Sequence, residues 1–189
     1  MMNAILERAA KIRLLIFDVD GVLTDGSLFV GDDGQEYKSF YSRDGLGMTM
    51  LQNTGVIIGI ITGRTSQVVK HRMQLLGVKY VFQGRTNKLP AFHELCHTLN
   101  LTPEQVAFVG DDVIDVPVLN KVGLAVAVGD AHDSILPYTH WQTKAMGGRG
   151  AAREVCELIM QAQGTLAKEL KRFEVEFEPT FSFPKHLNH

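Results

Sequence analysis

Five short apolar runs punctuate the chain: Leu14–Phe17, Val56–Ile61, Tyr80–Phe82, Val106–Val109 and Leu124–Val128. Each is bounded by glycine or acidic turn residues, and most are rich in β-branched side chains. Nearly every position within them is apolar, which marks strands buried on both faces, as in a parallel sheet. Between them lie amphipathic stretches of helical length. Ser66–Leu76 carries Val69, Met73 and Leu76 on one stripe, and Leu89–Leu99 carries Phe92, Leu95, Cys96 and Leu99. Strands alternating with helices predict an α/β fold with right-handed crossovers, in which ligands bind beyond the C-terminal strand ends.

One segment breaks the alternation. Ser27–Tyr41 has two extended runs around Asp32-Asp33-Gly34, a hairpin turn signal, and is read as an insertion after the first strand. A last helix is expected from about Ala151 to Phe173. Residues 1–175 are read as one domain, and residues 176–189, with two prolines, as an irregular tail or one docked on a neighbour. There is no internal repeat.

Composition narrows the function classes. A net charge of -2 over 189 residues gives no reason to expect nucleic acid or an acidic membrane as partner. The N-terminal stretch has charges inside its apolar positions and no small-residue cleavage site, and no apolar run approaches membrane length. Cys96 and Cys156 lie far apart and form no CxxC pair. The expectation is a cytoplasmic protein with reduced thiols.

The chemistry collects at the strand ends. The first strand runs into Asp18 and Asp20, two carboxylates at i and i+2 that project to the same side of an extended chain. Phosphoryl transfer to a carboxylate needs an ionised nucleophile and a second group that exchanges a proton with the leaving oxygen. Paired acids repel, and a divalent cation relieves that. The second strand ends in Ile61-Thr62-Gly63-Arg64, where a hydroxyl and backbone N–H groups can hold phosphate oxygens. Lys88 opens the helix after the third strand, a poor place for a cation unless an anion lies close. The fourth strand ends in Gly110-Asp111-Asp112 with Asp115 a turn later, suited to oxygen ligation of magnesium. Each feature alone has a bland structural explanation. All four on one sheet edge have none.

His93-Glu94-Leu95-Cys96-His97 also matches the H-E-x-x-H zinc signature. Its helix carries the core residues Phe92 and Leu95, no persuasive third ligand follows, and the zinc reading is set aside. A receiver domain would place its acids in a different order, without an Asp-x-Asp at the first strand.

FDVDGVLTDG, ITGR, Lys88 and VGDDVID resemble the four motifs of the haloacid dehalogenase superfamily, over roughly residues 14–158. The resemblance implies a Rossmann-like parallel sheet flanked by helices. It also implies catalytic roles for Asp18 as nucleophile, Asp20 as general acid and base, and Thr62 and Lys88 as phosphate-binding and charge-steadying groups. Magnesium would be held by Asp18, the Asp20 carbonyl and Asp111, with Asp112 and Asp115 in support.

The spacings leave room for the hairpin but for no cap domain. YSRDGLGMTML, ITGRTSQVVKHRMQLLGV, VGDDVIDVPVLNKVGLAVAVGDAH and GGRGAAREVCELI are similar to the capless 3-deoxy-D-manno-octulosonate 8-phosphate phosphatase family. That resemblance implies a small sugar-acid phosphate substrate in lipopolysaccharide precursor synthesis, and a homotetramer whose neighbouring subunit closes the site. Apolar hairpin residues such as Phe29 and Val30 fit an oligomer. A substrate with carboxylate and phosphate calls for cations at the mouth, and Arg64, Arg72 and Arg149 are the candidates. The N–H of Gly148, in the glycine cluster before the last helix, is a further anion-binding candidate. Two departures stand out: Asn87 where the family usually has aspartate, and Gly129 where alanine is commoner. An acylneuraminate 9-phosphate phosphatase and an idle binding module on the same fold remain as alternatives.

Overall fold

The computed structural model describes residues 2–176. The tail expected over 176–189 therefore lies, but for Glu176, outside the described residues. A helix α1 (Met2–Ala9) leads into β1 (Leu14–Phe17), then a two-stranded hairpin of β2 (Phe29–Val30) and β3 (Glu36–Tyr37). There follow α2 (Ser42–Asn53), β4 (Ile57–Ile61), α3 (Gln67–Leu75), β5 (Tyr80–Phe82), α4 (Leu89–Leu99) and β6 (Val106–Gly110). The chain closes with α5 (Val116–Leu119), β7 (Leu124–Ala127), β8 (Trp141–Gln142), α6 (Ala151–Ala162) and α7 (Leu166–Lys171).

The main sheet has the order β5-β4-β1-β6-β7-β8, and every neighbouring pair is parallel. β1 is central, with Leu14–Phe17 in register with residues 57–60 on one side and 106–109 on the other. The chain winds outward from β1 to β5, then crosses over to build the other half. The switch point falls between β1 and β6, where a crevice opens at the C-terminal strand ends. All four residues of β1 and of β7, and all five of β6, are buried, which accounts for their unbroken apolar sequence.

Three elements depart from the sequence expectation. The final helix is two helices, because Gly164 adopts φ +68° and ends α6 two residues earlier at Ala162. α2 was hidden by Gly45 and Gly47, poor helix formers in isolation. Its glycines serve packing: a Cβ on Gly47 would stand 3.1 Å from the Cα of Arg153, so α6 crosses α2 at close range. Buried Asp44 then caps α6 from α2, accepting from the N–H of Arg153 at 2.8 Å and of Gly150 at 3.3 Å. β8 is a two-residue edge strand, too short to signal itself.

Candidate active site

Asp18 leaves β1 still bonded to the sheet, its N–H donating to the Val109 carbonyl at 3.1 Å. The chain then turns sharply. The Val19 carbonyl accepts from the N–H groups of Val22, Leu23 and Thr24 at 2.9–3.2 Å, and Gly21 takes φ +86°. That glycine is required for space as well as conformation, since a Cβ there would lie 2.1 Å from an Asp111 oxygen.

Both Asp18 oxygens are held. Oδ1 accepts from the Val19 N–H at 2.6 Å, and Oδ2 lies 2.6 Å from Lys88 Nζ. Lys88, at the N-cap of α4 with Pro90 behind it, buries its whole side chain and reaches Asp115 at 2.5 Å as well. The anion that a lysine at a helix N-terminus demands is thus supplied twice. Asn87 accepts from the Leu89 N–H at 3.3 Å, a bond its carbonyl oxygen makes as an aspartate would. Asp115 is fully buried and also accepts from the N–H of Asp111 at 3.0 Å and of Asp112 at 3.4 Å. Gly110 makes room for it, because a Cβ there would fall 2.4 Å from Asp115 Oδ2.

Carboxylate oxygens of Asp18, Asp111 and Asp115 lie within 4.8 Å of one another. One ammonium is shared among the three, so the fully ionised cluster holds two negative charges in excess. Burial, then the charges of Asp115 and Asp18, push Asp111 up to about 7. Burial raises Asp18 to about 6, opposed by Lys88 and reinforced by Asp115. Burial alone would pull Lys88 down, but Asp18 and Asp115 outweigh it and hold the ammonium above the usual lysine value. An all-oxygen donor set with two uncompensated charges fits a hard divalent cation such as magnesium. Asp115 is the most committed of the three, which leaves Asp18 and Asp111 facing the crevice.

That crevice has a volume of about 290 Å³ and is lined by Asp18, Asp20, Thr62, Arg64, Asp111 and Asp112 among others. A second crevice of about 280 Å³, at the N-terminal ends of β4 and β5, carries Lys79 as its one charged lining residue and no comparable chemistry. Thr62 follows β4 and is 1% exposed. Asp20 is ion-paired with Lys38 of the hairpin, a residue sequence reasoning passed over. The signal was present in Glu36-Tyr37-Lys38, whose charged pair shares one face of a strand.

The expected anion-binding set is only partly assembled. Arg64 lines the crevice and pairs with Glu36 at 2.8 Å. Arg149 is exposed and pairs with Asp25 at 3.3 Å. Arg72 does not face the acids: its guanidinium lies 5.9 Å from the Phe40 ring in a separate crevice with Asp44, Gly45 and Met48. Gly148 is a correction too. Its N–H donates to the Val22 carbonyl at 2.9 Å, and that of Gly147 to Asp130 at 2.8 Å, so neither is available to an anion. The glycines instead let this loop pack on the backbone that follows Asp18. A Cβ on Gly148 would stand 2.4 Å from the Thr24 carbonyl carbon.

The haloacid dehalogenase-like hydrolase family model matches residues 80–154. The 3-deoxy-D-manno-octulosonate 8-phosphate phosphatase of Yersinia pestis is 51% identical over 162 residues, 86% of this chain and 87% of the relative. The chain belongs to the 3-deoxy-D-manno-octulosonate 8-phosphate phosphatase family. The Escherichia coli K12 member is 49% identical over 86% of both chains. The Moraxella catarrhalis member, solved with magnesium, phosphate and KDO, superposes with a TM-score of 0.90 at 37% identity, covering 92% of this chain and 99% of that one. Family and fold agree with the superfamily motifs and the parallel sheet expected from the sequence.

Proposed function

We propose that this chain hydrolyses 3-deoxy-D-manno-octulosonate 8-phosphate to the free sugar acid and phosphate, through an aspartyl-phosphate on Asp18. The observation that carries the reading is the buried Asp18–Lys88–Asp115 array beside Asp111, at the sheet's switch point. Family membership supports the substrate.

Asp18 is fixed by bonds to both oxygens, so one orientation faces the phosphorus. Its attack forms the O–P bond as the ester P–O bond breaks, and Asp20 delivers the proton to the departing sugar oxygen. Asp20 then accepts a proton from water as that water attacks phosphorus and frees Asp18. Thr62 offers its hydroxyl to a phosphate oxygen, and Lys88 holds the Asp18 carboxylate in place for the attack. Asp18, Asp111 and the Asp20 carbonyl would hold magnesium, which supplies charge neutralisation of the phosphate oxygens. Arg64 is the cation best placed for the sugar-acid end.

A homotetramer in which a neighbour closes the crevice belongs to the same proposal. The hairpin supports it, with Leu28, Phe29, Val30 and Tyr37 all more than half exposed. A cytoplasmic location is a further part of the proposal. Among the described residues no helix is long and apolar enough to cross a membrane. The test is phosphate release from a panel of octulosonate 8-phosphate, acylneuraminate 9-phosphate and hexose phosphates with magnesium, using Asp18→Asn as the blank. Strong preference for the eight-carbon acid is expected. Preference for the nine-carbon acid keeps the mechanism and changes the substrate, and wild-type turnover by Asp18→Asn removes the nucleophile.

A further inference from the structure

We propose that Lys38 is a positioning residue for Asp20, making the hairpin part of the proton-transfer apparatus; this rests on the role of Asp20 given above. A lysine on a small exposed hairpin is ordinarily solvated. Here the side chain is 1% exposed and its ammonium points inward to Asp20 Oδ1. Burying an ammonium is unfavourable unless carboxylates compensate it, so the arrangement needs an explanation beyond the hairpin's own stability.

A second carboxylate completes it. Glu36 lies 3.3 Å from Lys38 Nζ and 2.8 Å from Arg64, with its side chain 16% exposed. Asp20, Lys38, Glu36 and Arg64 thus form a continuous line of alternating charge. It runs from the end of β1, through the hairpin, to the end of β4. Arg64 and Glu36 anchor Lys38 from one side, and Lys38 holds one Asp20 oxygen from the other.

The consequence for Asp20 is geometric. It precedes a left-handed glycine, and the hydrogen bonds of the tight turn that follows are made by Val19, Thr24 and their neighbours rather than by its carboxylate. With Oδ1 taken by Lys38, the other oxygen is left to meet the leaving group and then the water. Without Lys38 the side chain is free to rotate, and productive orientations become a minority.

The experiment uses the full chain with magnesium and compares two substrates by kcat/KM, which reports only the steps through departure of the leaving group. From octulosonate 8-phosphate the sugar acid leaves as an alkoxide that needs a proton, whereas from p-nitrophenyl phosphate the nitrophenolate leaves without one. Lys38→Met is expected to lower kcat/KM for the sugar phosphate by about tenfold to a hundredfold, and for p-nitrophenyl phosphate by no more than about threefold. In an Asp20→Asn background the same substitution is expected to add nothing, because the two residues act as one unit. Equal loss on both substrates, or no loss on either, overturns the proposal. If Lys38→Met melts below assay temperature, Glu36→Gln carries the comparison, since it removes the brace and leaves the ammonium. A selective loss that vanishes in the Asp20→Asn background supports the proposal, whereas indifference, or a loss that persists in that background through Arg64, overturns it. Asp20→Asn alone separates the two layers: if it spares the sugar phosphate, the proton-transfer role falls and this inference with it. If it does not and Lys38→Met does, this inference alone falls.

Discussion

Lys88 meets Asp18 at 2.6 Å in an ion pair where the lysine side chain is wholly shielded from water and the aspartate nearly so. The lysine also bonds Asp115, so its removal leaves two buried carboxylates without a counter-charge. The same residue therefore serves the fold and the reaction, and its loss registers in both.

Lys88→Met is expected to lower turnover by about a hundredfold or more, as loss of a preorganised charge does. It is also expected to reduce stability by roughly 3–5 kcal/mol, the usual result of breaking a buried pair by deleting one partner. Urea unfolding with magnesium present, beside a phosphate-release assay, reads both. Lost activity with unchanged stability would mean the two carboxylates find another cation.

Magnesium stabilisation is expected to depend on pH with a defined sign. Asp18 and Asp111 titrate near 6 and 7 in the folded chain against an ordinary 3.8. Between about pH 4 and 7 the folded state therefore holds protons the unfolded chain has released, and these two groups make the metal-free protein less stable as pH rises. At pH 5 a cation must displace those protons, and at pH 8 it need not. The rise in Tm on adding magnesium is expected to be small at pH 5 and largest near pH 8. An equal rise at both would separate the metal from this pair.

Phe29→Glu with Tyr37→Ser places a charge and a hydroxyl on one exposed hairpin face, because the two residues pair across the strands on the side opposite Glu36. Light scattering is expected to show the assembly reduced to smaller species, with activity falling as the crevice loses its neighbour. An unchanged mass would move the interface elsewhere. Deleting Ser27–Tyr41 is the coarser test, because it removes Lys38 as well.

Gly148→Ala is expected to destabilise the chain by about 1–3 kcal/mol and to depress turnover. Its φ is +61°, and the added methyl would meet backbone at Thr24 and Asp25 rather than a yielding side chain. A thermal melt indistinguishable from the parent would show that the loop after Asp18 has room to move.

The strands were legible because burial on both faces leaves an unbroken apolar run, and β1, β5 and α4 lie where periodicity puts them. Asp18, Asp20, Thr62 and Asp111 were legible as a group because the sheet brings consecutive strand ends to one edge. Lys38 was signalled only by its spacing from Glu36, since its inward turn to Asp20 depends on how the hairpin folds back towards the end of β1. Arg72 was not placed by sequence alone: residues close in sequence do not share a direction, and α3 turns Arg72 towards Phe40 and away from its own chain's crevice. Gly148 carried the right pattern for an anion site, but close backbone packing uses the same glycines.

The central position of β1 also governs the order in which the molecule can be made. Its two sheet neighbours are encoded at 57–60 and 106–109, so during translation β1 leaves the ribosome long before either. Asp18 emerges well ahead of Lys88, Asp111 and Asp115, and the helix capped by Asp44 comes later still. A nascent chain halted before Val106 would present a four-residue apolar strand with one edge open, a species prone to wrong pairing. A form ending before α6 lacks the helix that Asp44 caps and that packs on α2, and it is expected to show no phosphate release.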